Sequence, residues 1–388
     1  MKHIHSHAAS GKGSKDSPTQ AITKRQPLSL FVLAKAAMLL LLLVSACVPE
    51  IPGPLLPIVI KPKGPKPSWA PTIDPQMQAI IEELDSFGTP PLHELTPGQA
   101  REAPTPTDAV KSLIKEKGLP LTQPDLLIDH KVIPGPSPQG VLVRIYTPKK
   151  GAGPFPVIVY YHGGGWVIAN LDTYDPSARA LSDKVGAIVV SVAYRQGPEH
   201  PFPAAHEDSF AAYKWVVENA ASINGDPSKI ATAGESAGGN LAVAVSLMAK
   251  ERSLPLPVHI LSVYPIADED LLSPSYEKYA NAKPLSRPLM EWFFNYYKPN
   301  WKTNRHRYIS LIHTDLTGLS PTTIINAEID PLESDGAELA KRLQNDGVMV
   351  MRKVYKGVTH EFFGMSALLE QAQQAQAFAT TELKKAFE

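Results

Sequence analysis

Cysteine is almost missing from this chain: Cys47 is the only one in 388 residues. That excludes an internal disulfide and any zinc site built from several thiolates. No group of His, Asp and Glu falls at metal-ligand spacing, and no G-K-[ST] follows the glycine run Gly163-Gly164-Gly165, so neither a metal centre nor a phosphate cradle is indicated and no cofactor is expected. Net charge is missing too. The 38 Lys and Arg balance 38 Asp and Glu, which leaves no basic surplus for a nucleic-acid partner and no strong field to steer an ionic substrate. What is present is ordinary for a globular protein: 43% hydrophobic and 20% charged residues, enough for one sizeable core and a single large α/β domain.

Proline is abundant, at 38 residues, and much of it lies early in the chain. Ahead of it, Ala36 to Val44 is a short leucine-rich run preceded by Lys24, Arg25 and Lys35 and followed by Ser45-Ala46-Cys47. A basic n-region, an apolar h-region and small residues before a cut site mark a secretory signal. The run is short for a membrane-spanning helix, although tolerating Lys35 lengthens it to Leu28 through Val48. The position of Cys47 resembles a bacterial lipoprotein lipobox, which implies cleavage before it and lipid attachment to it. The alternatives are a signal anchor or plain secretion. The long polar segment before Pro27 fits none of these and suggests a translation start placed too early. Residues 1–46 are thus expected to be a signal peptide, and 47–73 a proline-rich extended spacer outside the fold. The folded domain is expected over 74–388.

Within that domain, apolar spacing predicts helices over Asp74 to Phe87 and Thr107 to Lys117. Strand signals follow at Val141 to Tyr146, Val157 to Tyr161, Ala187 to Ala193, Ile230 to Ala233, Val258 to Tyr264, Thr322 to Ala327 and Val348 to Tyr355. Helical stretches such as Ala204 to Ala221 and Ser334 to Gln344 lie between them. Strands alternating with helices imply a mostly parallel twisted sheet, covered on both faces, with any active site at the carboxyl ends of the strands. The interval 268–320 breaks the alternation and carries Trp292, Phe293, Phe294, Tyr296, Tyr297 and Trp301, too aromatic for a solvated loop. It reads as a helical cap, shared with the amino-terminal segment of about 74–130; a core helix on the outer sheet face is the plainer alternative.

Chemistry enters at four strand ends. Gly234-Glu235-Ser236-Ala237-Gly238-Gly239 joins an apolar strand to a helix-forming run, the G-x-S-x-G pattern of a nucleophile elbow, where a strained turn lifts a serine hydroxyl above the sheet. By itself the motif equally suits a turn that caps a helix. His162-Gly163-Gly164-Gly165-Trp166 follows another strand, and glycines there leave backbone amides bare for a developing oxyanion. Asp330 and His360 each follow a late strand, so the chain order is Ser, Asp, His, that of the α/β-hydrolase fold.

Taken together, HGGGW at 162–166, YRQGPEHPFPAA at 194–205, GESAGGNLA at 234–242, DPL at 330–332 and His360 resemble the bacterial hormone-sensitive-lipase family of esterases, from about Asp74 onward. The family usually reads YRLAPEH where this chain has Gln196-Gly197, DPLRDEG where it has Glu333-Ser334-Asp335-Gly336, and HGF where it has His360-Glu361-Phe362. No departure touches a triad position, but Glu361 adds a charge beside the histidine. The resemblance implies a cap over the site and a serine esterase acting on short- to medium-chain acyl esters, small molecules that need no cofactor.

In that scheme Ser236 is the nucleophile, His360 its base and Asp330 the acid that orients the imidazole, while the amides of Ala237 and of Gly163 or Gly164 hold the oxyanion. His162 is expected to anchor its loop, and His200 and His206 to be structural. Glu328 and Asp335 are weaker rivals to Asp330, Arg195 and Glu199 are expected to make a structural ion pair with each other or loop hydrogen bonds, and Glu235 is expected to bond to neighbouring loops. The same triad serves an amidase or lactonase equally well. A non-catalytic binding protein of this fold is a further alternative, but such receptors lack a triad member and His360 is present.

Overall fold

The computed structural model describes residues 60–121 and 123–388. Three helices come first: α1 (Pro75–Ser86), α2 (Pro97–Glu102) and α3 (Pro106–Glu116). Each starts with proline just after a capping side chain; Asp74 accepts from the amides of Gln76 and Met77, and Thr96 and Thr105 form capping boxes with Gln99 and Asp108. The rest of the chain alternates: β1 (Leu126–Ile133), β2 (Val141–Pro148), β3 (Phe155–Tyr161), α4 (Asp175–Val185), β4 (Ile188–Ala193), α5 (Ala204–Asn219), β5 (Gly225–Glu235), α6 (Ala237–Glu251) and β6 (Ile260–Val263). It continues with α7 (Pro274–Lys278), α8 (Arg287–Tyr297), β7 (Thr322–Ile329), α9 (Glu333–Asn345), β8 (Val350–Thr359) and α10 (Glu370–Phe387).

The strands form one eight-stranded sheet in the order β1-β2-β4-β3-β5-β6-β7-β8, antiparallel where β2 meets β1 and β4, and parallel from β4 to β8. Period-two alternation divides the core into two layers. Val157, Val159 and Tyr161 pack with α5, α6 and α8 on one face, whereas Ile158 and Tyr160 pack with α1, α3, α4 and α10 on the other. From β3 the chain crosses to β4 on one side and then to β5 on the other. The crevice of such a sheet opens at this reversal of strand order.

Three expectations need correction. The fold does not start at Asp74. Ile60, Ala70 and Ile73 are buried in the core, and the amides of Lys63 and Gly64 donate to the Glu82 carboxylate on α1. Two consecutive turns, closed by the Ala70 amide on the Pro67 carbonyl and the Ile73 amide on the Ala70 carbonyl, lay this proline-rich segment on the core, so its composition mimics a spacer. Second, 126–130 is not cap but edge strand β1, paired along its length with β2. It lacks an alternating signal because almost all of it is exposed on both faces. Third, Arg195 and Glu199 do not pair with each other: Arg195 binds Asp208 and Glu199 binds Arg101. Among the described residues no helix is long and apolar enough to cross a membrane. Residues 1–59, with the expected signal peptide, Cys47 and the first part of the expected spacer, lie outside the described residues.

Candidate active site

Strand register brings the chemistry together before any side chain is considered. Tyr161 of β3 lies opposite Gly234 of β5, so the glycine loop from His162 and the elbow at Ser236 leave the sheet side by side. Ile329 of β7 lies opposite Thr359 of β8, so the next residues, Asp330 and His360, are neighbours. Ser236 itself is left-handed (φ 59°, ψ −119°), a strained state of about 1–3 kcal/mol for a residue with a Cβ, held by the helix that follows. The flanking glycines are required sterically. A Cβ on Gly234 would lie 2.1 Å from the Gly238 carbonyl oxygen, and one on Gly238 would lie 1.9 Å from that of Tyr161.

The three side chains form a continuous relay. Ser236 Oγ lies 2.9 Å from His360 Nε2, and His360 Nδ1 lies 2.7 Å from Asp330 Oδ2. The other Asp330 oxygen accepts the Leu332 amide at 2.9 Å, which sets the carboxylate plane. All three residues are buried. Burial alone would disfavour the charged imidazolium, but the Asp330 carboxylate and its hydrogen bond outweigh it, so the His360 pKa is raised.

The rivals have other work. Glu328 accepts the Gly357 amide and the Thr72 hydroxyl, and Asp335 accepts the amides of Ala267 and Asp268. His162 is buried, with Nδ1 2.8 Å from the Gly163 carbonyl and its ring stacked on Tyr194. Burial pushes its pKa down to about 4, so it stays neutral and anchors the loop. His206 is likewise structural, held between the Tyr297 hydroxyl and Asn240, its pKa lowered by burial to about 3.

A cavity of about 410 Å³ opens over Ser236 and His360. Gly164 and Gly165 of the loop line it, and a Cβ on Gly163 would strike the hydroxyl of Tyr174, another lining residue, at 2.1 Å. The Ala237 amide begins α6, and first-turn amides have no intrahelical acceptor. The remaining wall comes from both expected cap segments: Leu92, Ala100 and Arg101 from one, Leu285, Leu289 and Phe293 from the other. The two segments hold each other. The Trp292 indole donates to the Leu95 carbonyl at 3.1 Å, and Lys283 pairs with Asp85.

A set of tyrosines around the site escaped sequence reading. The hydroxyls of Tyr160 and Tyr264 both donate to Glu235, which is buried beneath the nucleophile and ties β3, β5 and the end of β6 rather than neighbouring loops. Burial pushes the Glu235 pKa up to about 7 in spite of these donors and a hydrogen bond from Ser177. Tyr174 donates to Glu361 at 2.5 Å and lines the cavity. No local signal marks these tyrosines: Tyr160 and Tyr264 look like core aromatics of β-rich runs, and Tyr174 like a turn residue ahead of a helix.

The fold recurs among known proteins. A family model for the alpha/beta hydrolase fold matches residues 158–364. A carboxylesterase, NlhH, of Mycobacterium tuberculosis is 36% identical over 321 residues, covering 81% of this chain and 97% of its own. An ethyl acetate hydrolase of Pseudomonas putida is 30% identical over 325 residues, covering 81% and 99%. Among solved structures, a thermostable esterase from Pseudomonas putida superposes with a TM-score of 0.75 at 29% identity, covering 82% of this chain and 99% of that one. A Pyrobaculum calidifontis esterase gives 0.69 at 32%, covering 81% and 100%. With its Ser-His-Asp relay at the strand ends of a mostly parallel sheet, the chain belongs to the α/β-hydrolase fold family, among whose members its relatives are carboxylesterases.

Proposed function

We infer that this protein is a serine carboxylic ester hydrolase working through an acyl-enzyme. The observation that carries the reading is the unbroken relay from Ser236 Oγ through His360 to Asp330, opening into a cavity. His360 Nε2 takes the hydroxyl proton as Ser236 Oγ attacks the ester carbonyl, and Asp330 stabilises the imidazolium that results. The amides of Ala237, Gly163 and Gly164 receive the oxyanion. His360 then gives the proton to the leaving alcohol, and a water activated by the same imidazole releases the acid.

Short- to medium-chain acyl esters are the substrates we propose, supported by the limited cavity volume and by the ethyl acetate hydrolase among the relatives. The test has two parts. A fluorophosphonate probe should label Ser236, located by peptide mapping, and a p-nitrophenyl ester series should lose activity as the acyl chain lengthens. Absence of labelling together with no turnover of any ester would refute the reading.

We also propose export and lipid anchoring at Cys47, supported by Lys24, Arg25 and Lys35 ahead of the apolar run and by the small residues before the cysteine. Mass spectrometry of the mature amino terminus tests this: a diacylglyceryl Cys47 supports it, and an unprocessed terminus or one at another residue refutes it.

A further inference from the structure

We propose that Glu361 selects esters whose alcohol part carries a positive charge, an extension that rests on the ester-hydrolase reading above. Glu361 follows His360 directly and lines the same cavity as Ser236. His360 delivers the proton to the leaving oxygen, so the wall beside its ring faces the alcohol half of the substrate rather than the acyl half.

The charges on this wall are otherwise matched. Lys283 binds Asp85 at 2.8 Å and Arg101 binds Glu199 at 2.7 Å, whereas Glu361 has no lysine or arginine partner among the described residues. One of its oxygens accepts the Tyr174 hydroxyl, and the other has no protein donor among the described residues. An acid held in a cavity without a cation is a vacancy in charge that a cationic substrate would fill. Tyr174, whose hydroxyl binds Glu361, adds aromatic surface on the same wall that suits an ammonium group.

The backbone points the same way. Glu361 is left-handed (φ 72°, ψ 1°), a conformation that glycine adopts without strain, and yet a long charged side chain stands there. The Tyr174 bond fixes that side chain at the cavity wall, and the same hydroxyl lies against Gly163 of the glycine loop.

The groups facing Glu361 are His360 and Asp330 on the histidine side, Tyr174 ahead of α4, Tyr194 just after β4, and Glu235 at the end of β5 with its tyrosines Tyr160 and Tyr264. Burial raises the Glu361 pKa, partly opposed by His360 and the Tyr174 bond. The carboxylate therefore gains charge as pH rises through that raised pKa, and preference for a cation should rise with it. Titration of His360 acts on charged and neutral esters alike, so it cancels in a ratio of rates. Glu235 does not cancel fully, and the part of the pH dependence that vanishes on replacing Glu361 is the part that belongs to Glu361.

The experiment compares kcat/KM for acetylcholine with that for 3,3-dimethylbutyl acetate, which has the same shape and no charge, using the full-length enzyme. Glu361→Gln and Glu361→Gly should each lower the ratio about tenfold, the scale of one charge-assisted contact, and flatten its rise with pH. Glu361→Asp, which keeps the charge, should retain part of the preference. Glycine suits the backbone at this position, so the thermal midpoint of Glu361→Gly should be unchanged or raised, and a lower ratio there is not a folding defect. A ratio that is the same in wild type and both uncharged variants overturns the proposal. If the neutral ester is cleaved and the ratio does not move, only this proposal falls; if neither ester is cleaved and Ser236 resists the fluorophosphonate, the ester-hydrolase reading falls with it.

Discussion

The elbow and the cap enclose one cavity from opposite sides, and they are built by opposite means. The elbow is backbone against backbone: Gly234, Gly238 and the Tyr161 carbonyl approach so closely that a single added methyl group would overlap an oxygen. The cap is side chain against side chain. Trp166 stacks on Tyr297 at 4.9 Å, Phe294 stacks on Trp301 at 5.2 Å, and the Phe293 ring occupies the space a Cβ on Gly165 would need. Backbone contact fixes an atom within tenths of an ångström and admits no substitution, which suits a nucleophile. Side-chain packing can be refilled by other residues of similar volume, which suits a surface that chooses substrates.

The comparison can be broken most severely at the elbow. Ser236→Ala should cut kcat for a p-nitrophenyl ester on the order of 10⁶-fold, and a rate close to wild type would remove the serine from the mechanism. Asp330→Asn should cost about 10⁴-fold in kcat, through loss of the tautomer that directs Nε2 to the serine. It also bears on pH. The carboxylate holds the His360 pKa above that of a free imidazole, so the neutral base is lost as pH falls through that raised value. In Asp330→Asn the acid limb of the kcat/KM profile should move to lower pH, and an unmoved limb would mean that another group governs it.

Smaller effects test the structural side of the contrast. Gly238→Ala, whose Cβ meets backbone only, should destabilise the fold by more than about 3 kcal/mol in urea unfolding. Phe293→Leu in the cap should cost only about 1–2 kcal/mol, while shifting the best p-nitrophenyl ester towards longer acyl chains. If the cap change proved as damaging as the elbow change, the division between rigid backbone and adjustable side chains would be wrong.

How much of this was legible in the sequence follows the same division. The elbow, the glycine loop and the order Ser, Asp, His are local patterns, because steric demands at a tight turn admit few residues. The parallel strands β3 to β8 were legible from their apolar runs. Strand β1 was not, since an edge strand exposed on both faces needs no alternation. The segment 60–73 was misread because proline is as much at home in the turns of a strip lying on a core as in a free spacer. Only the burial of Ile60, Ala70 and Ile73 separates the two.

By itself, the sequence determined the fold class and which three residues the relay joins, since helix and strand periodicity and the glycines of a strained turn act over a few neighbouring residues. Tertiary structure alone decided what surrounds them: the register that sets Asp330 against His360, the tyrosines on Glu235 and Glu361, and the pairing of every charged group on the cavity wall except Glu361. Those contacts join residues that lie tens to nearly two hundred positions apart in the chain, such as Tyr174 and Glu361. Over such separations the side-chain type is visible in the sequence but its partner is not, and in a buried site the partner sets the charge.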